Sequence, residues 1–359
     1  MAVHDLPWKP DSILFSNPLT NSPSGSLDPY PIWVAEVMLQ QTQVGVMLPY
    51  WRKWMATFPN AKLLGKASLE EVLLVWQGLG YYARARNLHQ AAQRVAKQWP
   101  RTLEEWIAMP GIGRTTAGSI LSSAFNLPYP ILDGNVRRVL SRIKACPDPP
   151  SKVLSRFWDW SEALLDPKRP RDFNQAFMDL GALVCTPRNP KCSLCPWKRS
   201  CSAYSLNKSG SFPVKMTFQP LSNQVVGVGI VFNDSGEVLI DQRLNKGLLG
   251  GLWEFPGGKQ EPAESIKTTI AREIQEELEI CVEVGEKLIS FDHAYSYKKI
   301  HFEVYLCTLI KGIPKPLASQ QVRWVKPDSL NQFPFPAANS QIIHALKKTL
   351  LEDNSNNVP

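Results

Sequence analysis

Cys185, Cys192, Cys195 and Cys201 follow one another with the spacing C-x6-C-x2-C-x5-C. Four thiolates on so short a loop can wrap a tetrahedral centre. Zinc usually takes paired C-x2-C knuckles, and only one is present here. A [4Fe–4S] cluster is also held by four cysteines, so spacing alone leaves both open. Two carboxylates could work as a pair. Glu36 sits on an apolar helical face, with Ile32, Trp33 and Leu39 three or four positions away. Such a carboxylate is either paired or holds its proton to higher pH, which suits a general acid. Asp133, in Ile131-Leu-Asp-Gly-Asn-Val-Arg-Arg-Val139, is placed to cap the helix that follows. One protonated and one ionised carboxylate is the combination that cleaves a glycosidic bond through an oxocarbenium-like state. In Met109-Pro-Gly-Ile-Gly113, Gly111 and Gly113 open a helical run and expose backbone N–H groups that suit a phosphate oxygen. Further on, Gly258-x5-Glu264-x7-Arg272-Glu-Ile-Gln-Glu-Glu277 puts Glu273, Glu276 and Glu277 on one helical face. There they could hold Mg²⁺ against a pyrophosphate.

These groups need a scaffold, and the patterning supplies two kinds. Between residues 30 and 200, apolar spacing near 3.6 predicts helices over 32–42, 69–76, 91–98, 116–123, 136–143 and 174–183. After residue 223 the texture changes. Strands are predicted at 225–232, 237–241, 287–292, 301–309 and 321–325, with helices at 265–278 and 339–350. The polar stretch 203–222 reads as a linker. The charge divides at the same place. Residues 1–222 hold 26 Lys and Arg against 15 Asp and Glu, whereas residues 223–359 hold 14 against 17. The first part is therefore suited to a polyanion and the second is not. No apolar run approaches a membrane span, and the N-terminus lacks a signal-peptide pattern, so a chain of the cell interior is expected.

Taken together, WVAEVMLQQTQV (33–44), GLGYYARARNLHQAA (78–92), MPGIGRTTAG (109–118), ILDGNVRRVL (131–140), FNQAFMDLGALVC (173–185) and the cysteine loop resemble a known family. It is the helix-hairpin-helix DNA glycosylases with an iron–sulfur cluster, and within them the adenine DNA glycosylases of the MutY type. The resemblance implies an all-α helix-hairpin-helix glycosylase domain over 1–202, with a [4Fe–4S] loop at 185–201. The linker at 203–222 would lead to an α+β Nudix-like domain over 223–359. It implies base-excision repair of duplex DNA: hydrolysis of the N-glycosidic bond of adenine opposite 8-oxoguanine or guanine. The target base must first leave the stack. Glu36 would protonate adenine at N7, and Asp133 would stay ionised beside the sugar cation, with Asn135 supporting the sugar site. Gln41 and Tyr81 match residues that wedge into the duplex, and Gly111 and Gly113 would bind its backbone. Lyase relatives carry a Schiff-base Lys where this chain has Thr115, so hydrolysis without strand cleavage is expected.

The C-terminal part resembles the Nudix-like domain that reads 8-oxoguanine in these enzymes. Phe291-Asp-His293 stands where relatives carry Phe-Ser-His, with Asp292 replacing the Ser; Phe291 and His293 are the matching DNA contacts. The nearly complete box leaves Mg²⁺ binding, and a minor 8-oxo-dGTP hydrolysis, as a further expectation. A monomer on DNA, in the cytoplasm and on the nucleoid, completes the expectation. The competing readings are a thymine- or other mismatch-directed glycosylase, a nucleotide-pool pyrophosphohydrolase tethered to DNA, and a non-enzymatic DNA binder.

Overall fold

The computed structural model describes residues 6–8, 26–95, 98–216, 222–295 and 298–356. Of the expected linker, residues 217–221 lie outside these. Contacts divide the chain into two units, Met1–Gly65 with Gln90–Phe218, and Lys66–His89 with Gln219–Pro359. Among the described residues no helix is long and apolar enough to cross a membrane.

The first unit is helical. The helix Pro29–Met38 starts at Asp28, whose Oδ1 accepts from the Tyr30 N–H at 3.0 Å. It is buried nearly all round: Tyr30, Ile32, Trp33, Val34, Ala35, Val37 and Met38 all lie in the core. Glu36 is half-buried, as are Pro29 and Pro31. A second apolar cluster joins Ile131, Leu132, Val136, Val139 and Leu140 to Phe157, Trp158 and Phe177. It seats the helix Gly134–Ile143 on its neighbours Leu154–Leu164 and Pro170–Asp179. The helix expected over 174–183 divides. It is α-helical to Asp179, then turns as a π-helix over Leu180–Val184, with the Cys185 N–H donating to the Leu180 carbonyl. Periodicity near 3.6 does not register so short a widening.

The second unit is α+β, as expected. Its strands are β1 (Ser222–Phe232), β2 (Val238–Arg243), β3 (Trp253–Glu254), β4 (Gly257–Lys259), β5 (Cys281–Ala294), β6 (Lys298–Lys311) and β7 (Ser319–Val325). The path is β3-β2-β1-β6-β5, with β4 on β1 and β7 on β2. β1 and β6 run parallel; the other pairs are antiparallel. Side chains alternate across the sheet. Val228, Ile230, Val238, Ile240 and Val304 pack with Ile342, Ile343 and Leu346 of the helix Asn339–Asn356. Val231, Leu239, Tyr305 and Cys307 pack with Ile270, Ile274 and Leu278 of the helix Ile266–Leu278. The box helix therefore covers one face of the sheet.

Residues 66–89 belong to this unit too, although the sequence boundaries leave them inside 1–202. The helix Leu69–Trp76 is locally well specified. Ser68 Oγ accepts from the Glu71 N–H, and Glu71 Oε2 accepts from the Ser68 N–H at 2.7 Å, a reciprocal cap. What holds it here is long-range. The Trp253 indole N–H donates to Glu70 Oε1 at 2.7 Å, Arg86 donates to the Gly250 carbonyl at 2.8 Å, and the Tyr82 hydroxyl reaches the Phe335 carbonyl.

Candidate active site and cluster loop

Glu36 and Asp133 come from separate helices and line one cleft of about 630 Å³ in the helical unit. Gln40, Thr115, Thr116, Asn135, Arg138, Gln175 and Asp179 line it with them. Asp133 is indeed the N-cap of Gly134–Ile143, so the structural role foreseen for it is real. Its Oδ1 accepts from the Val136 N–H at 2.7 Å, and its Oδ2 from the Asn135 carboxamide at 3.3 Å. Both bonds hold the carboxylate in place and favour its anion. Burial does more in the other direction. It pushes the Asp133 carboxyl above the ordinary carboxylate range, and the Glu36 charge adds to the push. The Glu36 carboxylate is thus close enough to oppose the ionisation of Asp133.

Arg138 and Arg142 had no place in the sequence reading. Both lie on the Asp133 helix, four residues apart, and tie it to the cysteine loop. Arg138 donates to Asn135 Oδ1 at 2.8 Å, to the Gly181 carbonyl at 2.7 Å and to the Cys185 carbonyl at 2.8 Å. Arg142 donates to the Cys185 and Thr186 carbonyls and, at 3.2 Å, to Cys185 Sγ. Their spacing on one helical face was the only available signal. Gly181 lets the π-turn approach; a Cβ there would lie 2.6 Å from Asn135 Cβ.

Thr115 faces the same cleft, its hydroxyl donating to the Leu132 carbonyl at 3.3 Å. Among the described residues lining the cleft there is no lysine. Gly111 turns the hairpin with φ +74°, the left-handed region that glycine permits, and Ile112 anchors it in the core. Gly113 caps the helix Arg114–Phe125 by backbone alone, so its first N–H groups face outward without a side-chain cap. Gln41 and Tyr81 are both exposed and both left-handed, at φ 60° and 49°. A non-glycine residue held there stores strain, and such residues cluster at functional positions.

The cysteine loop passes a chemical test for its group. All seven cysteines of the chain are free. Cys185, Cys192, Cys195 and Cys201 line one cavity walled by Val139, Ile143, Leu180, Val184, Trp197 and Tyr204. Burial raises the Cys195 thiol, and the other three cysteines add to the rise. Four thiolates here require a cationic centre. A single zinc would draw the sulfurs to about 3.8 Å from one another, given bonds of about 2.3 Å. Four thiols lining one cavity, with Arg142, Lys191 and Lys198 beside them, are also the donor set of an iron–sulfur cluster. When bound, the cluster supplies four metal–thiolate bonds that close residues 185–201 on themselves.

In the sheet unit, Phe291 and His293 lie on β5. Phe291 stacks on Phe302 at 5.1 Å, and His293 meets the Tyr295 ring edge-on at 4.6 Å. Asp292 is paired rather than bare: His301 Nδ1 donates to it at 2.7 Å, and its carboxylate raises the imidazole's proton affinity. Arg272 holds two of the three box glutamates. Arg272 bonds Glu264 at 2.8 Å, Glu273 at 3.0 Å and Glu276 at 3.1 Å. Glu277 instead lines a separate cavity with Asp241, Glu254 and Arg243. Burial and the Glu254 charge push Glu277 up to about 7. The helix does place all three on one side, but the arginine engages two of them.

Three family models match: an HhH-GPD superfamily base excision DNA repair protein over residues 34–163, the iron–sulfur binding domain of endonuclease III over 185–201, and a NUDIX domain over 227–345. The adenine DNA glycosylase of Mus musculus is 35% identical, covering 89% of this chain and 71% of its own. That of Buchnera aphidicola subsp. Acyrthosiphon pisum (strain APS) is 33% identical, covering 85% and 82%. These matches agree with the cavity chemistry that the cysteine loop carries a [4Fe–4S] cluster. With its three domain matches in order and relatives aligned along most of its length, the chain belongs to the adenine DNA glycosylase family.

Proposed function

We propose that this chain excises adenine opposite 8-oxoguanine or guanine in duplex DNA, as a monofunctional glycosylase of base-excision repair. The observation that carries the reading is the cleft shared by Glu36 and Asp133. The flipped nucleotide enters it, and Glu36 delivers a proton to adenine N7 so that the base leaves neutral. Asp133, held by the Val136 N–H and Asn135, presents its carboxylate to the sugar as positive charge grows there. Water completes the hydrolysis. Thr115 offers a hydroxyl but no amine, so no Schiff base forms and the strand stays intact. The outward N–H groups after Gly113 hold a backbone phosphate, and Gln41 and Tyr81 wedge the opened duplex. The β5 segment Phe291–His293 supports reading of 8-oxoguanine. One chain acts on one duplex, and seven free cysteines suit the reducing cytoplasm, where the substrate is nucleoid DNA.

The test is a duplex with one A opposite 8-oxoguanine, incubated with the protein and divided between hot alkali and no treatment. Strand cleavage only after alkali is expected. Cleavage without alkali would reveal lyase action, and none in either half would point to another lesion. A second expectation follows from the close approach at Gly181. Gly181→Ala must push the π-turn or Asn135 aside, and a displacement of about 1 Å at a reacting centre can cost about 100-fold in rate. Single-turnover excision should fall 10- to 100-fold, as an order of magnitude, with iron content unchanged. A wild-type rate would mean the contact relaxes without reaching Asp133.

A further inference from the structure

One buried arginine has no part in the function above. Arg84 lies at the start of the helix Ala83–Val95, three residues after the exposed Tyr81. Several of its contacts meet there. Its backbone N–H donates to the Tyr81 carbonyl at 2.9 Å, and its Nη2 to the Gly80 carbonyl at 3.1 Å. The Trp76 indole N–H donates to the same Gly80 carbonyl at 3.0 Å. Both peptides that flank Tyr81 are thus held, which fixes the left-handed φ of 49° that a bulky side chain rarely adopts. The Arg84 guanidinium also lies 5.4 Å from the centre of the Tyr81 ring and 5.3 Å from that of Trp76. A guanidinium is flat, so its face can stack on a ring while its edge donates. Burial pushes it down to about 10, which leaves it charged at neutral pH.

We propose that Arg84 is a positioning residue for Tyr81: it clamps the peptides on either side and stacks on the ring, so that the wedge meets the duplex already in place. The inference rests on the reading of Tyr81 as a wedge and deepens it. Unstacking a base step costs free energy that the inserted side chain must offset. A side chain that is still free to rotate loses part of that gain to its own ordering, and a pre-set one does not. Lysine at position 84 keeps the charge and the backbone N–H. It lacks the flat face, and its ammonium is a point donor, so it cannot stack on the ring and hold the Gly80 carbonyl together.

The experiment measures single-turnover excision of adenine opposite 8-oxoguanine by wild type, Arg84→Lys, Tyr81→Ala and the double variant. Tyr81→Ala should lose at least about 10-fold, the wedge being gone. Arg84→Lys should lose roughly 3- to 10-fold, the cost of ordering one side chain. In the Tyr81→Ala background the same substitution should cost less than about 2-fold, because the group it positions is absent. A second duplex carries a mismatch beside the lesion pair, so that its stack opens at less cost. There Arg84→Lys should recover to within about 2-fold of wild type, which a merely structural role would not produce. Losses that add in the double variant, or no recovery on the loosened duplex, would overturn the proposal. Should Arg84→Lys fail to fold, Tyr81→Leu decides the matter from the exposed side. Leucine is an apolar wedge without a ring for the guanidinium, so its rate should fall, and a wild-type rate would equally overturn the proposal. A wild-type rate in Tyr81→Ala would instead sink the wedge reading, with this inference following it.

Discussion

Asp133→Asn should lower adenine excision by about 10³-fold or more, and yet leave a folded protein that still binds its DNA. Asn caps a helix as well as Asp does, so the bond from the Val136 N–H survives. What disappears is the negative charge. Because burial raises the folded-state pKa of Asp133, its anion costs stability at neutral pH. The sign follows from linkage. The favourable contribution is complete below the unfolded value of about 3.9, and is lost as pH rises through the higher folded value. Asp133→Asn should therefore melt at or above the wild-type temperature at pH 7, an advantage that shrinks toward pH 4. If Asp133 were only a cap, the variant would stay active. A variant that neither binds DNA nor folds would return Asp133 to the architecture. In the wild type the same shift places the acidic limb of the rate profile above the ordinary carboxylate range, because excision needs the anion.

Cys195→Ser should remove the cluster and with it much of the fold around the active site. The loss is not confined to one loop. Arg138 and Arg142 run from the Asp133 helix to Cys185, and Arg138 also holds Asn135. Opening the loop frees the arginines that fix the helix carrying Asp133. We expect loss of the brown colour and of iron, a melting temperature lower by on the order of 10 °C, and weakened DNA binding. Cys146→Ser is the matched control. That thiol is buried, more so than Cys195, but lies outside the loop, and iron should be retained. Normal DNA affinity in an iron-free Cys195→Ser protein would reject a structural role for the cluster.

The chemistry-bearing residues were legible because their signals are local. Four cysteines within a short loop, a glycine pair before a helix, and a carboxylate on an apolar helical face need no knowledge of the rest of the chain. The elements were legible for the same reason. The helix 69–76 was bounded as the structure has it, with Ser68 and Glu71 as its reciprocal cap. The strands were recognised by alternation and came out longer than expected, because pairing with a neighbour extends a strand past its apolar run. The β5 strand, for example, spans Cys281–Ala294 against an expected 287–292. Boundaries at the domain level were less accessible. Nothing in residues 66–89 announces that Glu70 will accept from Trp253, or that Arg86 will bond the backbone at Gly250.

The amino-acid sequence by itself determined which groups are available: acid, anion, thiolates, phosphate-binding turn and the helices and strands that carry them. Helix and strand periodicity, capping and turn chemistry depend on residues a few positions apart, so the chain declares them wherever it is read. The tertiary structure alone decided which of these groups meet. It brought Glu36 and Asp133 to one cleft, where burial, and then the Glu36 charge, raise the pKa of Asp133. It gave Arg272 to Glu273 and Glu276 and left Glu277 lining a cavity with Asp241 and Glu254. It also set Gln175 and Asp179 on the same cleft. Those outcomes depend on side chains packed from distant segments, and on the low polarity their packing creates.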